Sequence, residues 1–177
     1  MNTPPPWTIR RAVPNDAPML SVMVRKLAAT QGDDGDRATA RRVRRNMLEA
    51  GTDLTVLVAE SVNGALLGYI SALPAHESAQ GEVGYYVADL FVVESHRGLG
   101  IGRSLMAAMA ALARDHGRNY LWWAAMAGNG SADRFYRQIA NIREPVTAYA
   151  VTGESFEALC READDYEKLG MPEDESE

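Results

Sequence analysis

The chain has 177 residues, of which 46% are hydrophobic, and a formal net charge of -6; that is one domain's worth, able to bury roughly two-thirds of its unfolded surface without staples. Its single cysteine, Cys160, excludes an intrachain disulfide and a cysteine-rich metal site. Residues 162–177 hold eight acids against Lys168, a net of -7 that leaves +1 on the rest, and so near-neutral a body carries neither a nucleic-acid stripe nor a lipid-binding face.

The N-terminal MNTPPPWTIRR lacks the pattern of a signal peptide, and no run nears the ~18 apolar residues of a membrane span. A soluble, cytoplasmic protein with no membrane partner is expected. Residues 7–13 read as a strand, and Pro14-Asn15-Asp16 as a turn that supplies helix caps. Met19, Leu20, Met23, Val24 and Leu27 recur at helical spacing and predict a helix over residues 17–29. After the breaker TQGDDGD, residues 37–50 read as a second helix, with arginines at 41, 42, 44 and 45 on a solvated face.

Residues 54–60 and 66–73 are predicted strands joined by Asn63-Gly64, the strongest short hairpin signal. Residues 82–93 (EVGYYVADLFVV) follow as a long strand, then a helix over 105–116, a strand over 119–126, and a helix from Gly128-Asn129-Gly130-Ser131 to about 140. A last strand is expected at 146–151 and a short helix at 155–163. The order β-α-α-β-β-β-α-β-α-β implies a mixed α/β sheet, partly antiparallel and partly parallel, in a single domain over residues 7–163. Residues 164–177 are expected to be a disordered acidic tail.

The stretch that carries chemistry is DLFVVESHRGLGIGRS, residues 89–104. A buried strand enters a turn holding Gly98, Gly100 and Gly102, and a helix begins at once. Such a helix start offers unpaired backbone N–H groups and the positive end of a dipole to a phosphate, and glycines let the phosphate reach the backbone. Arg97, Arg103 and the Ser104 hydroxyl can add charge and hydrogen bonds. A nucleotide P-loop is unsupported because no Gly-Lys-Ser/Thr occurs. The glycines also sit too late in the chain, and at the wrong spacing, for a dinucleotide fingerprint.

Arg97-Gly98-Leu99-Gly100-Ile101-Gly102 resembles R/Q-x-x-G-x-G/A, the acyl-CoA pyrophosphate loop of the GCN5-related N-acetyltransferases (GNAT). About 30 residues on, Asn129-Gly130-Ser131-Ala132-Asp133-Arg134-Phe135-Tyr136 is similar to that family's N-x-x-A-x-x-F-Y element. The resemblance runs loosely from Thr8 to Val151. It implies the GNAT-type fold, a twisted mixed sheet flanked by helices whose splayed central strands admit acetyl-CoA as the acyl-donor substrate. It implies that the backbone of Phe91, Val92 and Val93 meets the pantetheine arm. The amides of Gly98, Leu99, Gly100, Ile101, Gly102, Arg103 and Ser104 would hold the pyrophosphate, with Asn129 on the arm or ordering the loop. Tyr136 would protonate the leaving thiolate. The acceptor amine would approach from the opposite side, walled by the first helices, their loop and the C-terminal strands.

Transfer of an acetyl group from a thioester to an amine also needs a proton acceptor. Family members related to the polyamine acetyltransferases carry Glu-Asp where this chain has Ala88-Asp89, so the glutamate position holds alanine. Asp89, Glu82, Tyr85 and an ordered water are the candidates, and Asp89 is assigned with Tyr136 as catalytic. His76, His96 and His116 are scattered without ligand spacing, so no metal is expected. Trp122 and Trp123 lie between the two motifs, one for the core and the other for the acceptor cleft or a dimer contact. The expected function is N-acetylation of a primary amine of a small molecule or peptide by direct attack in a ternary complex, with Tyr136 as general acid. A non-catalytic acyl-CoA-binding module of the same fold is the alternative, and a homodimer is implied by family analogy.

Overall fold

The computed structural model describes residues 5–168, so part of the acidic tail, 169–177, lies outside the described residues. The chain divides after Tyr136 into two compact units.

The first unit is built on one five-stranded sheet: β1 (Trp7–Arg11), β2 (Thr55–Ser61), β3 (Leu66–Glu77), β4 (Glu82–Val92) and β5 (Tyr120–Trp122), side by side in that order. The first three pairings are antiparallel and β4–β5 is parallel, as a crossover through a helix requires. The β2–β3 hairpin turns at Gly64, whose φ of 79° suits a residue without a Cβ. On one face lie α1 (Ala17–Thr30) and the short α2 (Ala40–Val43), which widens into a π turn over Arg44–Leu48. Ala17, Leu20, Met23 and Val43 pack there against Val56, Val58, Tyr69 and Phe91. The other face is covered by α3 (Ile101–Asp115), which buries Ile101, Leu105, Met106, Met109 and Ala113. α4 (Gly130–Tyr136) closes this unit.

Four expectations are corrected. The strand expected at 119–126 stops at Trp122, because its ladder with β4 ends at Tyr86↔Trp122 and Trp123–Met126 has no strand to pair with. α4 likewise ends at Tyr136 rather than near 140. No strand forms at 146–151: an apolar stretch becomes a strand only with a ladder partner, and here Val146, Tyr149 and Val151 stand exposed.

The second unit instead carries α5 (Gly153–Lys168). Residues 164–168 of the expected disordered tail therefore continue this helix, as a segment free of glycine and proline between Gly153 and Gly170 allows.

Candidate active site

β4 is longer than the strand beside it. Its parallel ladder with β5 covers only Gly84, Tyr85 and Tyr86, and from Val87 to Val92 its outer edge is unpaired by any strand among the described residues. The result is an open backbone edge along the second half of β4. Val93 N–H donates to Leu67 C=O at 2.9 Å, toward β3. By strand alternation the N–H and C=O of Val92 and Leu90 point the other way, to the free edge. Of Phe91, Val92 and Val93, it is thus Val92 whose N–H faces this open edge. The N–H of Leu90, not singled out from the sequence, does the same. Phe91 instead buries its ring against Tyr69, with centroids 6.4 Å apart.

The free edge leads directly into the glycine turn. Gly98 and Gly100 have φ of 78° and 92°, and a Cβ added at either would meet nothing within 4 Å. This is open, left-handed backbone at the mouth of a helix, the kind of surface a pyrophosphate fits. Ser104 N–H is already bonded to Gly100 C=O at 2.9 Å. The amides of Ile101, Gly102 and Arg103 stand ahead of it in the first turn, so Ser104 is left with its hydroxyl to offer. Ile101 is buried in the core and Leu99 is exposed. Arg97 folds back on β4: its Nε donates to Val92 C=O at 3.1 Å, and its guanidinium carbon stands 6.0 Å from the centre of the Phe91 ring.

Asn129 caps α4, its Oδ1 accepting from Ala132 N–H at 3.0 Å. Its side-chain oxygen is therefore committed to ordering the turn. α4 then presents Phe135 and Tyr136. Phe135 lies over Gly102, where an added Cβ would stand 3.5 Å from the ring. The Tyr136 ring is 5.4 Å from that of Trp123 and 5.2 Å from that of Phe135. Burial raises the Tyr136 phenol above its ordinary value and keeps it protonated. Trp122 is the more exposed of the two tryptophans.

Of the proton-acceptor candidates, Glu82 takes a hydrogen bond from Asn119 Nδ2, and the Tyr85 hydroxyl is bonded to His116 Nδ1 at 2.8 Å. Both lie on the stretch of β4 at or before its ladder with β5. Asp89 lies past that point, on the open stretch. A bulge sets it there: Ser71 pairs with Asp89 but Ala72 with Val87, so Ala88 is extra and exposed. Ser71 Oγ donates to Asp89 Oδ2 at 2.8 Å. Burial nevertheless raises the carboxyl above the usual carboxylate range, outweighing the hydroxyls of Ser71 and Tyr69 that favour its charged form. Ser71 and Tyr69 are functional candidates that linear reading missed. Which side chains of β3 face Asp89 depends on the bulge, and no local signal announces it.

Residues 23–140 match the model of the acetyltransferase (GNAT) family. The chain belongs to this family. The GNAT assignment agrees with the fold and with the order of the two motifs. A curated relative, L-ornithine N5-acetyltransferase NATA1 of Arabidopsis thaliana, is 28% identical over 93 residues, 52% of this chain and 41% of that protein. The aligned stretch thus spans less than half of the relative's length. Among solved structures, an integron cassette protein from the mobile metagenome of V. cholerae is 25% identical at a TM-score of 0.74, over 88% of this chain and 98% of that one. The fold is shared with an aminoglycoside acetyltransferase, meta-AAC0020, from an uncultured soil metagenomic sample (TM-score 0.70, 20% identity, 84% and 97% covered). It is shared too with the ribosomal-protein-alanine N-acetyltransferase of Brucella melitensis biovar Abortus 2308 (TM-score 0.65, 22% identity, 83% and 99% covered). Among the described residues no helix is long and apolar enough to cross a membrane, and no three His, Cys, Asp or Glu side chains converge as a metal site.

Proposed function

We propose that this GNAT protein transfers the acetyl group of acetyl-CoA to a primary amine of a small molecule or peptide by direct attack in a ternary complex. The observation that carries the reading is the continuity of the free β4 edge with the open backbone of Gly98 and Gly100 and the start of α3. An extended amide-bearing arm fits the first part and a pyrophosphate fits the second. Acetyl-CoA supplies an activated thioester. The outward amides of Leu90 and Val92 hold the arm and polarise the thioester carbonyl, while the turn amides and Arg103 hold the pyrophosphate. Arg97 braces the end of β4.

Asp89 takes the proton of the acceptor's ammonium and frees the lone pair that forms the new C–N bond. As the C–S bond breaks, Tyr136 gives its proton to the leaving sulfur and recovers one from the second amine proton through solvent. A phenol raised by burial stays a competent donor at neutral pH. The names of two relatives, an L-ornithine N5-acetyltransferase and a ribosomal-protein-alanine N-acetyltransferase, specify acetylation on nitrogen, which supports an amine here without choosing the acceptor. The single cysteine is in keeping with a cytoplasmic location. A homodimer belongs to the same reading, and the exposed Val146, Tyr149 and Val151 are apolar surface such a contact would cover.

Calorimetric titration with acetyl-CoA and, separately, with NADH tests the donor site. Micromolar binding of acetyl-CoA alone is expected, and no binding would reduce the glycines to a turn. Thiol release with a panel of amines then tests turnover. Tight binding with no acceptor-dependent release from any amine would make the protein a non-catalytic acyl-CoA-binding module.

A further inference from the structure

Three polar groups meet on the face of the sheet that α1 and α2 cover. Asp89 sits on β4 just past the bulge, and Ser71 and Tyr69 sit two residues apart on β3, so all three side chains share that face. Ser71 is fully buried, and its hydroxyl donates to Asp89 Oδ2 at 2.8 Å. Tyr69 is fully buried as well. Its hydroxyl lies beside the same carboxylate without reaching hydrogen-bond geometry, and among the described residues no other group accepts or donates to it.

A buried hydroxyl without a partner is uncommon, and one placed beside a carboxylate is a donor held ready. No arginine or lysine bonds Asp89 among the described residues. The side chains of α1 and α2 that pack around Tyr69 and Phe91 (Ala17, Leu20, Met23 and Val43) are uncharged. Tyr69 is therefore the one titratable group beside the carboxylate among the described residues. The charge on Asp89 depends on two neutral hydroxyls working against desolvation.

We propose that Ser71 and Tyr69 are positioning residues for the transfer: they hold the Asp89 carboxylate in one orientation on the open stretch of β4 and set the pH at which it accepts the proton of the acceptor amine. This rests on the reading of Asp89 as the base. Ser71 holds one carboxylate oxygen in the resting state. Tyr69 closes its own hydrogen bond when Asp89 carries full charge, and it relaxes when the proton arrives. The two hydroxyls thus distinguish the charged from the protonated carboxyl, as a proton acceptor used once per turnover needs.

The test removes one hydroxyl at a time, as Ser71→Ala and Tyr69→Phe, and measures two quantities on the full chain. One is the titration of the Asp89 carboxyl by carbon-13 NMR, its resonance identified with Asp89→Asn. The other is the pH profile of kcat with acetyl-CoA and whichever amine the panel identifies. Loss of a donor disfavours the charged form, so Ser71→Ala is expected to raise the Asp89 midpoint by roughly half to one pH unit. The acidic limb of kcat should move up by the same amount, with KM for acetyl-CoA unchanged. Tyr69→Phe should move both in the same direction. An Asp89 titration identical in wild type and both variants overturns the role of Ser71 and Tyr69, whatever the kinetics. A midpoint that moves while the kinetic limb stays, or a wild-type rate in Asp89→Asn, overturns the base assignment itself. Either hydroxyl variant alone decides the matter should the other not fold.

Discussion

The ring of Phe135 lies over Gly102, 3.5 Å from where a Cβ on that glycine would stand. One residue of the second motif thereby rests on the helix start of the first, and the next residue, Tyr136, is placed by the same contact. That distance is ordinary van der Waals contact and the φ of Gly102 is not positive, so an alanine methyl fits. Gly100, at φ 92°, is different. Gly100→Ala is expected to cost about 1 kcal/mol for its left-handed backbone, whereas Gly102→Ala should be neutral or slightly stabilising within a helix. Urea denaturation of the two variants checks the contrast. Gly100→Glu should in addition abolish acetyl-CoA binding, because its carboxylate would meet the pyrophosphate; unchanged affinity in calorimetry would remove the turn from the donor site.

Tyr136→Phe is expected to lower kcat on the order of 10²-fold, the lower end of what a positioned acid contributes. Acetyl-CoA affinity should stay within about twofold. The acid acts while protonated, so its contribution is lost as pH rises through its pKa. Burial raises that pKa, which puts the alkaline limb above the ordinary phenol value near 10. The phenylalanine variant should lack that limb altogether, and a wild-type rate would take Tyr136 out of the mechanism.

Arg10 joins two strands and a turn. Its guanidinium grips Asp16 through two bonds of 2.7 and 3.0 Å and Glu60 through two more of 2.9 and 2.8 Å. The hydrogen bond from Arg10 holds the Asp16 carboxyl below its usual value. A carboxylate depressed on folding adds stability above its unfolded pKa and loses it as pH falls through the folded one. Asp16→Asn should therefore cost about 1 kcal/mol at pH 6, a partly screened pair. The difference from wild type should shrink below about pH 4, the unfolded value. Denaturant curves at several pH values measure it.

A Cβ on Gly84 would come within 2.5 Å of the ring of Tyr120, its partner in the parallel β4–β5 ladder. Gly84→Ala should destabilise by about 1–3 kcal/mol, as overpacking does. Adding Tyr120→Ala should remove most of that penalty, and the lack of additivity in the double mutant would report the contact.

For the dimer, sedimentation of the full chain should give twice the 19.3 kDa chain mass. Tyr149→Asp, which puts a charge on exposed apolar surface, should shift it toward monomer. A monomer at all concentrations would end that proposal.

The glycine turn, the Asn63-Gly64 hairpin, α1 and the two motifs were readable from residue order, because each rests on a short-range demand. Positive φ needs Gly98 and Gly100, and helical spacing needs Leu20 and Met23 on one face. The ends of elements were less readable. Tyr120–Trp122 and Trp123–Met126 have similar composition, and only the first has β4 beside it. That Asn129 caps α4 was open in the sequence, and only the structure sets Ala132 N–H on its Oδ1.

By itself, then, the order of residues determined the family and the place of the glycine turn ahead of α3, since each is written in contiguous spacing, and the proposed roles of that turn and of Tyr136 rest on the same spacing. The tertiary structure alone decided how far β4 runs free of β5, which backbone amides face that gap, and which hydroxyls surround Asp89. These depend on a ladder that ends after three pairs and on one bulged residue, Ala88. Register across strands is set by the packing of both faces at once, and no single stretch of chain carries it.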